Sequence, residues 1–320
     1  MSTKPLVSIV IRTLNEEKHL VELLNAIKEQ DTSDFDIETV VIDSGSTDQT
    51  LNIAKEYGCR ITFIKKEEFT FGKSLNDGCD FANGDYLVFV SGHCIPADKY
   101  WIHNLVTPLV DKCSYTYGRQ LGRDTTKFSE RQLFSKYFPE ESRIPQVGYF
   151  CNNANSAIRR DAWLAHRFNE ELTGCEDMYL AKLLVDSGKK IGYVAEAPVY
   201  HIHDETWGKI KVRYEREAIA LQQIMPQVQL GFFDMLNYIT VGIVKDIKEA
   251  SKTGVLAREA KSIIMFRFVQ YYGAYIGNRN HRKLSQSMKY KYFYPRVSDM
   301  NVSESFEQIE ERSKQCQKKL

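Results

Sequence analysis

The chain of 320 residues has no excess charge of either sign: 43 Lys and Arg stand against 42 Asp and Glu, a formal net charge of +1. The whole-chain field therefore gives no reason to expect nucleic acid as a main partner. It also lacks any C-x-x-C pair. Its seven cysteines, at positions 59, 79, 94, 113, 151, 175 and 316, are scattered and odd in number. That argues against a disulfide framework and against a zinc ribbon, and fits a reducing cytosol. No apolar run approaches the ~18–20 residues that span a bilayer, and Leu6 to Ile11 is too short for the core of a signal peptide. The expected location is cytoplasmic, with peripheral attachment to the inner face of a membrane left open. Finally, no G-x-G-x-x-G follows the first apolar run, where Thr13-Leu14-Asn15-Glu16 stands instead, which sets aside a dinucleotide-dependent oxidoreductase.

What is present is a core-forming composition, 43% apolar and 12% aromatic, enough for one large domain plus an extension. Val7 to Thr13 reads as a strand, and Glu17 to Gln30 as a helix with Leu20, Leu23, Leu24 and Ile27 at helical spacing. Ile37 to Ile42 is the next strand. It ends in Asp43-Ser44-Gly45-Ser46-Thr47-Asp48, where Ser46 or Thr47 can cap a helix carrying Leu51, Ile53 and Ala54. Arg60 to Lys65 and Tyr86 to Val90 are further strands, separated by a short helix over Lys73 to Phe81. Such alternation implies an α/β fold with a mostly parallel, doubly wound sheet. Ligands of these sheets bind at the carboxyl ends of strands. Thr13 to Glu16, Asp43 to Ser46 and Ser91-Gly92-His93 all follow strands, so three polar clusters are expected to meet in one crevice.

Beyond His93 the chain is expected to turn at Ile95-Pro96, then form a helix over Tyr100 to Val110 and a strand over Ser114 to Gln120. Gly122 to Pro145 is polar and poorly periodic, as in a mobile loop or short helices beside a cleft. Asn152 to Ile158 is amide-rich, with few side chains suited to an apolar core. Glu176 to Ser187 reads as a helix, Ile191 to Val194 and Pro198 to Tyr200 as two short strands, and the chain from about Trp207 as helical. Cys94 and Cys175 read as small apolar packing residues. Trp163 suits either the core or a sugar ring.

Five segments, VSIVIRTLNEEKHLVELLNAIKEQ, ETVVIDSGSTDQT, FGKSLNDGCDFANGDYLVFVSGH, NSAIRRDAW and CEDMYLAKLLVDSGKKIGYVAEAPVYHIH, occur in this order. Together they resemble the successive motifs of the inverting family 2 glycosyltransferases with a GT-A fold, and within that family the rhamnosyltransferase-like bacterial enzymes of surface-polysaccharide synthesis, such as capsule and O-antigen. The resemblance covers roughly residues 5 to 215. It implies a catalytic domain over 1–215, with a nucleotide-binding half to about 95 and an acceptor-side half beyond it, and a helical extension over 216–320. It also implies transfer of a sugar, with inversion, from a nucleoside-diphosphate sugar to a hydroxyl of a glycan or lipid-linked acceptor.

Residue by residue, Thr13, Asn15 and Glu16 match the segment that lines the nucleotide pocket, and Asp43 the carboxylate that bonds the base; as a residue before Ser-Gly-Ser, Asp43 has a turn or cap as its lesser reading. Ser46, Lys73, Asp85 and Ser91 match further nucleotide-side positions. Asp177, in the pair Glu176-Asp177, matches the catalytic base, although two acidic residues also suit a helix N-terminus by themselves. Asn153, Asn155 and Ser156 are expected to face the donor sugar or acceptor.

The chain departs from the family pattern where many members have Asp-x-Asp, whose last carboxylate holds Mg²⁺ or Mn²⁺; here Ser91-Gly92-His93 stands. Loss of carboxylates disfavours Mg²⁺ relative to Mn²⁺ or another imidazole-tolerant ion. His203 matches a histidine that approaches the metal in some relatives, so His93 and His203 are the expected ligands. The rival is a metal-free site in which protonated His93, or Lys and Arg of the Gly122 to Pro145 loop, offset the phosphate charge. A non-catalytic sugar-nucleotide-binding or scaffold protein is the alternative function. Leu230 to Ile247 and Ile263 to Ile276 are aromatic-rich and amphipathic, and Asn278 to Arg296 is rich in Lys, Arg and Tyr. These segments suit a membrane interface, or packing on the catalytic domain or on the second copy of a homodimer.

Overall fold

The computed structural model describes residues 4–279. The basic tail expected to reach head groups lies outside them from residue 280 on, as do the rest of the extension and Cys316.

Four strands, β1 (Leu6–Thr13), β2 (Asp36–Asp43), β3 (Arg60–Phe63) and β4 (Tyr86–Ser91), pair in parallel in the order β3-β2-β1-β4. They read as continuous apolar runs because both faces of the sheet are covered. Alternate side chains of β1 enter two separate cores. Val7, Ile9 and Ile11 pack with Leu20, Leu23, Leu24 and Ile27 of α1 (Glu17–Lys28), whereas Val10 packs with Leu75 and Cys79 of α3 (Phe71–Phe81). Full burial of each such aliphatic side chain contributes about 1.5–3 kcal/mol. The remaining crossover helix, α2, spans Thr50–Glu56.

The second half extends the sheet as β7-β6-β8-β5, from β5 (Cys94–Pro96), β6 (Tyr115–Leu121), β7 (Asn155–Arg159) and β8 (Ile191–His201). β7 runs antiparallel to both β4 and β6, while β6 and β8 are parallel. The helices here are α4 (Trp101–Val106), α5 (Phe128–Tyr137), α6 (Arg160–His166) and α7 (Glu176–Asp186).

Several expectations change. Ile95-Pro96 is no simple turn: with Cys94 it forms β5, antiparallel to β8. The two short strands expected between 191 and 200 are one, with an irregularity in its register against β6 near Gly118. The polar segment Gly122 to Pro145 contains the ten-residue helix α5, which buries Phe128, Glu130 and Phe134; its pattern is weak because its buried face carries a carboxylate. The amide-rich segment lies inside the core, not at its edge. Trp163 is fully buried, with its indole N–H donated to Asn76.

The chain ends in α8 (Trp207–Ile224), α9 (Phe232–Lys252) and α10 (Leu256–Arg279). The expected boundary at 215 falls inside α8, and these helices pack on α5. Phe128 of α5 packs with Ala250 and Ile263, and Leu133 of α5 packs against the cluster of Ile210, Phe266 and Val269. No described helix is long and apolar enough to cross a membrane.

Candidate functional site

The three polar clusters converge at the carboxyl end of the sheet. Asn15, in the left-handed region at φ 56°, receives a hydrogen bond from the Thr47 N–H on its side-chain oxygen, while its own N–H donates to Ser46 Oγ at 2.8 Å. Asparagine tolerates that backbone better than most residues. The Glu16 N–H donates to Thr50 Oγ1, so the loops after β1 and β2 are zipped together. Glu16 then reaches the third cluster, its Oε1 lying 3.0 Å from His93 Nδ1. Gly92 permits this approach, since a Cβ there would meet Glu16 Cγ at 2.7 Å.

Asp43 is fully buried and its acceptor positions are filled from within. One oxygen accepts from the N–H groups of Gly45 and Ser46, the other from Thr13 Oγ1 and Ser46 Oγ. A carboxylate has about four acceptor sites, and here they are met by two backbone N–H groups and two hydroxyls of its own surroundings, so that Asp43 shapes the loop that Thr13 and Ser46 share.

Asp85 is corrected outright. It precedes β4 and contacts the N–H of Leu6 at the amino end of the sheet. That is roughly 20 Å from Ser91 for an extended strand. Lys73 does lie in the first turn of α3, but its ammonium is paired with Asp77 at 3.1 Å.

The amides are likewise reassigned. Asn155 is fully buried, accepting from the Trp101 indole and donating to the carbonyls of Arg119 and Ala197. Ser156 is equally buried and donates to Asn153 Oδ1, which also accepts from the Tyr115 hydroxyl. Neither Asn155 nor Ser156 has a free face toward a ligand. Asn153 touches the site through its backbone, whose N–H donates to Asp177 Oδ2 at 2.7 Å.

Asp177 and Glu176 open α7 after Cys175, which is left-handed at φ 54°. Both are buried, but their surroundings differ. Glu176 faces the Arg12 guanidinium at 3.5 Å. Asp177 accepts from the N–H groups of Asn153 and Met178. Burial first, and the adjacent Glu176 charge second, push its carboxyl up to about 7. A helix-start role explains two acidic residues; it does not explain why one is held ready to exchange a proton near neutral pH.

The third feature is a histidine cluster. Pairing of β5 with β8 sets Cys94 opposite His201, and the Ile202 N–H donates to the His93 carbonyl. His93 and His203 are thereby brought together, with ring centroids 6.0 Å apart. His201, which sequence reasoning passed over, sits between them, 5.3 Å from His93 and 4.0 Å from His203. Its signal was the i, i+2 spacing with His203, which an extended chain places on one side. One ring nitrogen from each of the three lies within 4.8 Å of the others.

Each ring is oriented from behind. His93 faces Glu16, His201 Nδ1 lies 2.7 Å from Gln120 Oε1, and His203 Nδ1 lies 2.7 Å from Glu130 Oε1. Burial opposes charge on His93, but the Glu16 carboxylate outweighs it and raises its pKa. Burial, then His203 and His93, hold His201 well below the usual range. Arg213 of α8 donates to Glu130 at 2.6 Å and pairs with Glu205 at 2.7 Å. Glu130 and Arg213 were not expected at the site. Imidazoles with oxygen acceptors behind them form a donor set suited to a divalent transition-metal ion.

Residues 8–165 match the family described as Glycosyl transferase family 2. The O-antigen chain rhamnosyltransferase WbaN of Salmonella anatum is 32% identical over 181 residues, covering 52% of this chain and 57% of that protein. The O-antigen chain rhamnosyltransferase RfbN of Salmonella typhimurium is 30% identical over 221 residues, covering 62% of this chain and 67% of that protein. The chain thus spans a little over half of the first relative and two thirds of the second. The mannosyltransferase PcManGT from Pyrobaculum calidifontis, solved with GDP-Man and Mn²⁺, shares the fold with a TM-score of 0.60 at 14% identity, over 85% of this chain and 87% of that one. By motif order, fold and these relatives, the chain belongs to glycosyl transferase family 2 and has its GT-A fold.

Proposed function

We propose that the chain transfers a sugar, with inversion, from a nucleoside-diphosphate sugar to a hydroxyl of a glycan or lipid-linked acceptor in bacterial surface-polysaccharide synthesis. The observation that carries this reading is Asp177, a buried carboxylate fixed by two backbone N–H groups and raised toward neutrality. The acceptor hydroxyl would attack the anomeric carbon from the face opposite the diphosphate and lose its proton to the Asp177 carboxylate. Glu176, paired with Arg12, sets a second negative charge beside that base and, after burial, raises it further toward neutrality. Thr13, Asn15, Glu16, Ser46 and Ser91 would form the nucleotide side, with Asp43 holding their loop in shape.

His93 and His203 would hold a divalent cation, Mn²⁺ before Mg²⁺, and that cation would offset charge on the departing diphosphate. PcManGT, which shares the fold, was solved with such an ion and a sugar nucleotide.

Association with a membrane surface is part of the same reading, because a lipid-linked acceptor would be presented there. The outward sides of α9 and α10 support it: Phe233 is 83% exposed, and Leu236, Val244, Ile264 and Phe268 are exposed as well.

The test is transfer from UDP-, dTDP- and GDP-sugars to polysaccharide or lipid-linked acceptors, in the wild type and in Asp177→Asn. The reading expects turnover with one donor class in the wild type and loss of at least 10²-fold in the variant. Binding of a nucleotide without turnover in either protein would favour the non-catalytic alternative.

A further inference from the structure

We infer that His201 joins His93 and His203 in a three-imidazole metal site, which holds a first-row transition-metal ion, Zn²⁺ or Co²⁺ before Mn²⁺, in preference to Mg²⁺. This deepens the cation reading above, and its test is independent of sugar transfer.

The tautomers follow from the hydrogen bonds. Glu16 and Glu130 are carboxylates that accept, so His93 and His203 carry their protons on Nδ1. Gln120 has its own orientation fixed, because its Nε2 donates to Asn152 Oδ1, which in turn accepts from the Ala154 N–H. Its Oε1 therefore faces His201 as an acceptor, and that ring too is protonated on Nδ1. In all three rings the atom left with a lone pair is Nε2. With all three rings neutral, their facing lone pairs repel one another unless a cation, a water or a proton on one ring lies between them, and each ring already has the outer hydrogen bond that metal-bound histidines have.

A second group, Glu130, His203 and Glu205, is also close enough to hold an ion. There, however, Arg213 binds both carboxylates, and a guanidinium beside them opposes a second cation. The three-histidine set has no such competitor.

The donor chemistry sets both the ion and its use. Mg²⁺ requires oxygen ligands and sheds water reluctantly, whereas imidazole suits first-row transition metals. Three neutral nitrogens also leave the ion its full double charge, where a pair of aspartates would cancel it. A site of this kind presents more positive charge to a diphosphate than the carboxylate version does, which gives the replacement of Asp-x-Asp by Ser91-Gly92-His93 a physical meaning.

The experiment loads the full chain, stripped of metal with a chelator, with Co²⁺ and records the proton NMR spectrum in H₂O. Three exchangeable, paramagnetically shifted imidazole N–H signals are expected, one for each Nδ1–H, and Zn²⁺ should displace Co²⁺ while Mg²⁺ competes at least 100-fold less well. His201→Asn should weaken Co²⁺ binding at least 10-fold and remove one signal. If that variant does not fold, the count in the wild type decides. Two signals or fewer, Mg²⁺ held as tightly as Co²⁺, or no binding of Co²⁺, Zn²⁺ or Mn²⁺ would overturn the inference. Three signals in a protein that transfers no sugar would leave the metal site standing and remove the transferase reading.

Discussion

One carboxylate oxygen, Glu130 Oε1, accepts from both His203 Nδ1 at 2.7 Å and the Arg213 guanidinium at 2.6 Å. The segment just after β8 thus meets α5 and α8 at a single atom. Arg213→Met should leave the buried Glu130 and the half-buried Glu205 without their cation. Breaking such a pair costs about 3–5 kcal/mol, so the expected result is a loss of several degrees in Tm by calorimetry. Glu130→Gln, which keeps the shape but not the charge, should lose less stability and still lower kcat/KM by about 10–100-fold through the loosened histidine. An unchanged kcat/KM in Glu130→Gln would disconnect this network from the reaction.

The pH dependence of transfer follows from Asp177. Its carboxyl is raised to about 7, by burial and then by Glu176, and a base works only when deprotonated. The expected kcat/KM rises tenfold per pH unit below about 7 and levels off above it.

Stability should move the other way. Between the unfolded value near 3.9 and the raised folded value, the native protein binds more protons at this site than the unfolded chain does. Its contribution to stability is therefore present at low pH and lost as pH rises through about 7. Asp177→Asn leaves one of the two N–H groups of Asn153 and Met178 without an acceptor, but it carries no titrating charge, so the wild type's fall in Tm between about pH 6 and 8 should be absent from it, beside a large loss of activity. An equal fall in the variant would show that the pH dependence belongs to another group.

How much of this was legible varies with the range of the interactions. β1 to β4 and their helices could be read because apolar periodicity is local and both faces of each strand are buried. The meeting of the polar clusters after β1, β2 and β4 could be expected because ligands of such sheets bind at the carboxyl ends of strands. Asp85 could not be placed, because adjacency to a strand does not tell which end faces the crevice until the direction of the strand is used. Asn155 and Ser156 misled because an amide or a hydroxyl reads as polar in sequence, whereas a buried one that is hydrogen-bonded within the protein is a core residue. Glu130 was hidden for the opposite reason: a carboxylate on the buried side of α5 weakens the very pattern by which a helix is recognised.

Asn155 gives a direct check of that reassignment. Asn155→Ala would strip partners from the Trp101 indole and from two backbone carbonyls in the core. Each buried group left without a partner costs about 1–3 kcal/mol. A loss of several kcal/mol in denaturant unfolding is expected, with KM for the donor unchanged at a temperature where the variant is folded. A rise in KM with full stability would return Asn155 to the substrate.

The outward face of α9 and α10 offers the last check. Phe233, Leu236 and Val244 are exposed on α9 and Ile264 and Phe268 on α10, while Lys245, Lys248, Lys252, Arg258 and Lys261 are exposed on the same two helices. The inward side is already occupied by α5 and α8, so packing accounts for half of each helix and leaves the apolar outer half to be explained. Basic side chains beside apolar ones suit an anionic bilayer surface, where each Lys or Arg contributes about 1 kcal/mol. Flotation with vesicles containing anionic lipid should carry the wild type. Phe233→Ser with Val244→Ser should remain at the bottom of the gradient, with Tm unchanged because neither side chain is buried. If the wild type stays behind as well and sediments as a dimer, the face belongs to a second copy of the chain and not to a membrane.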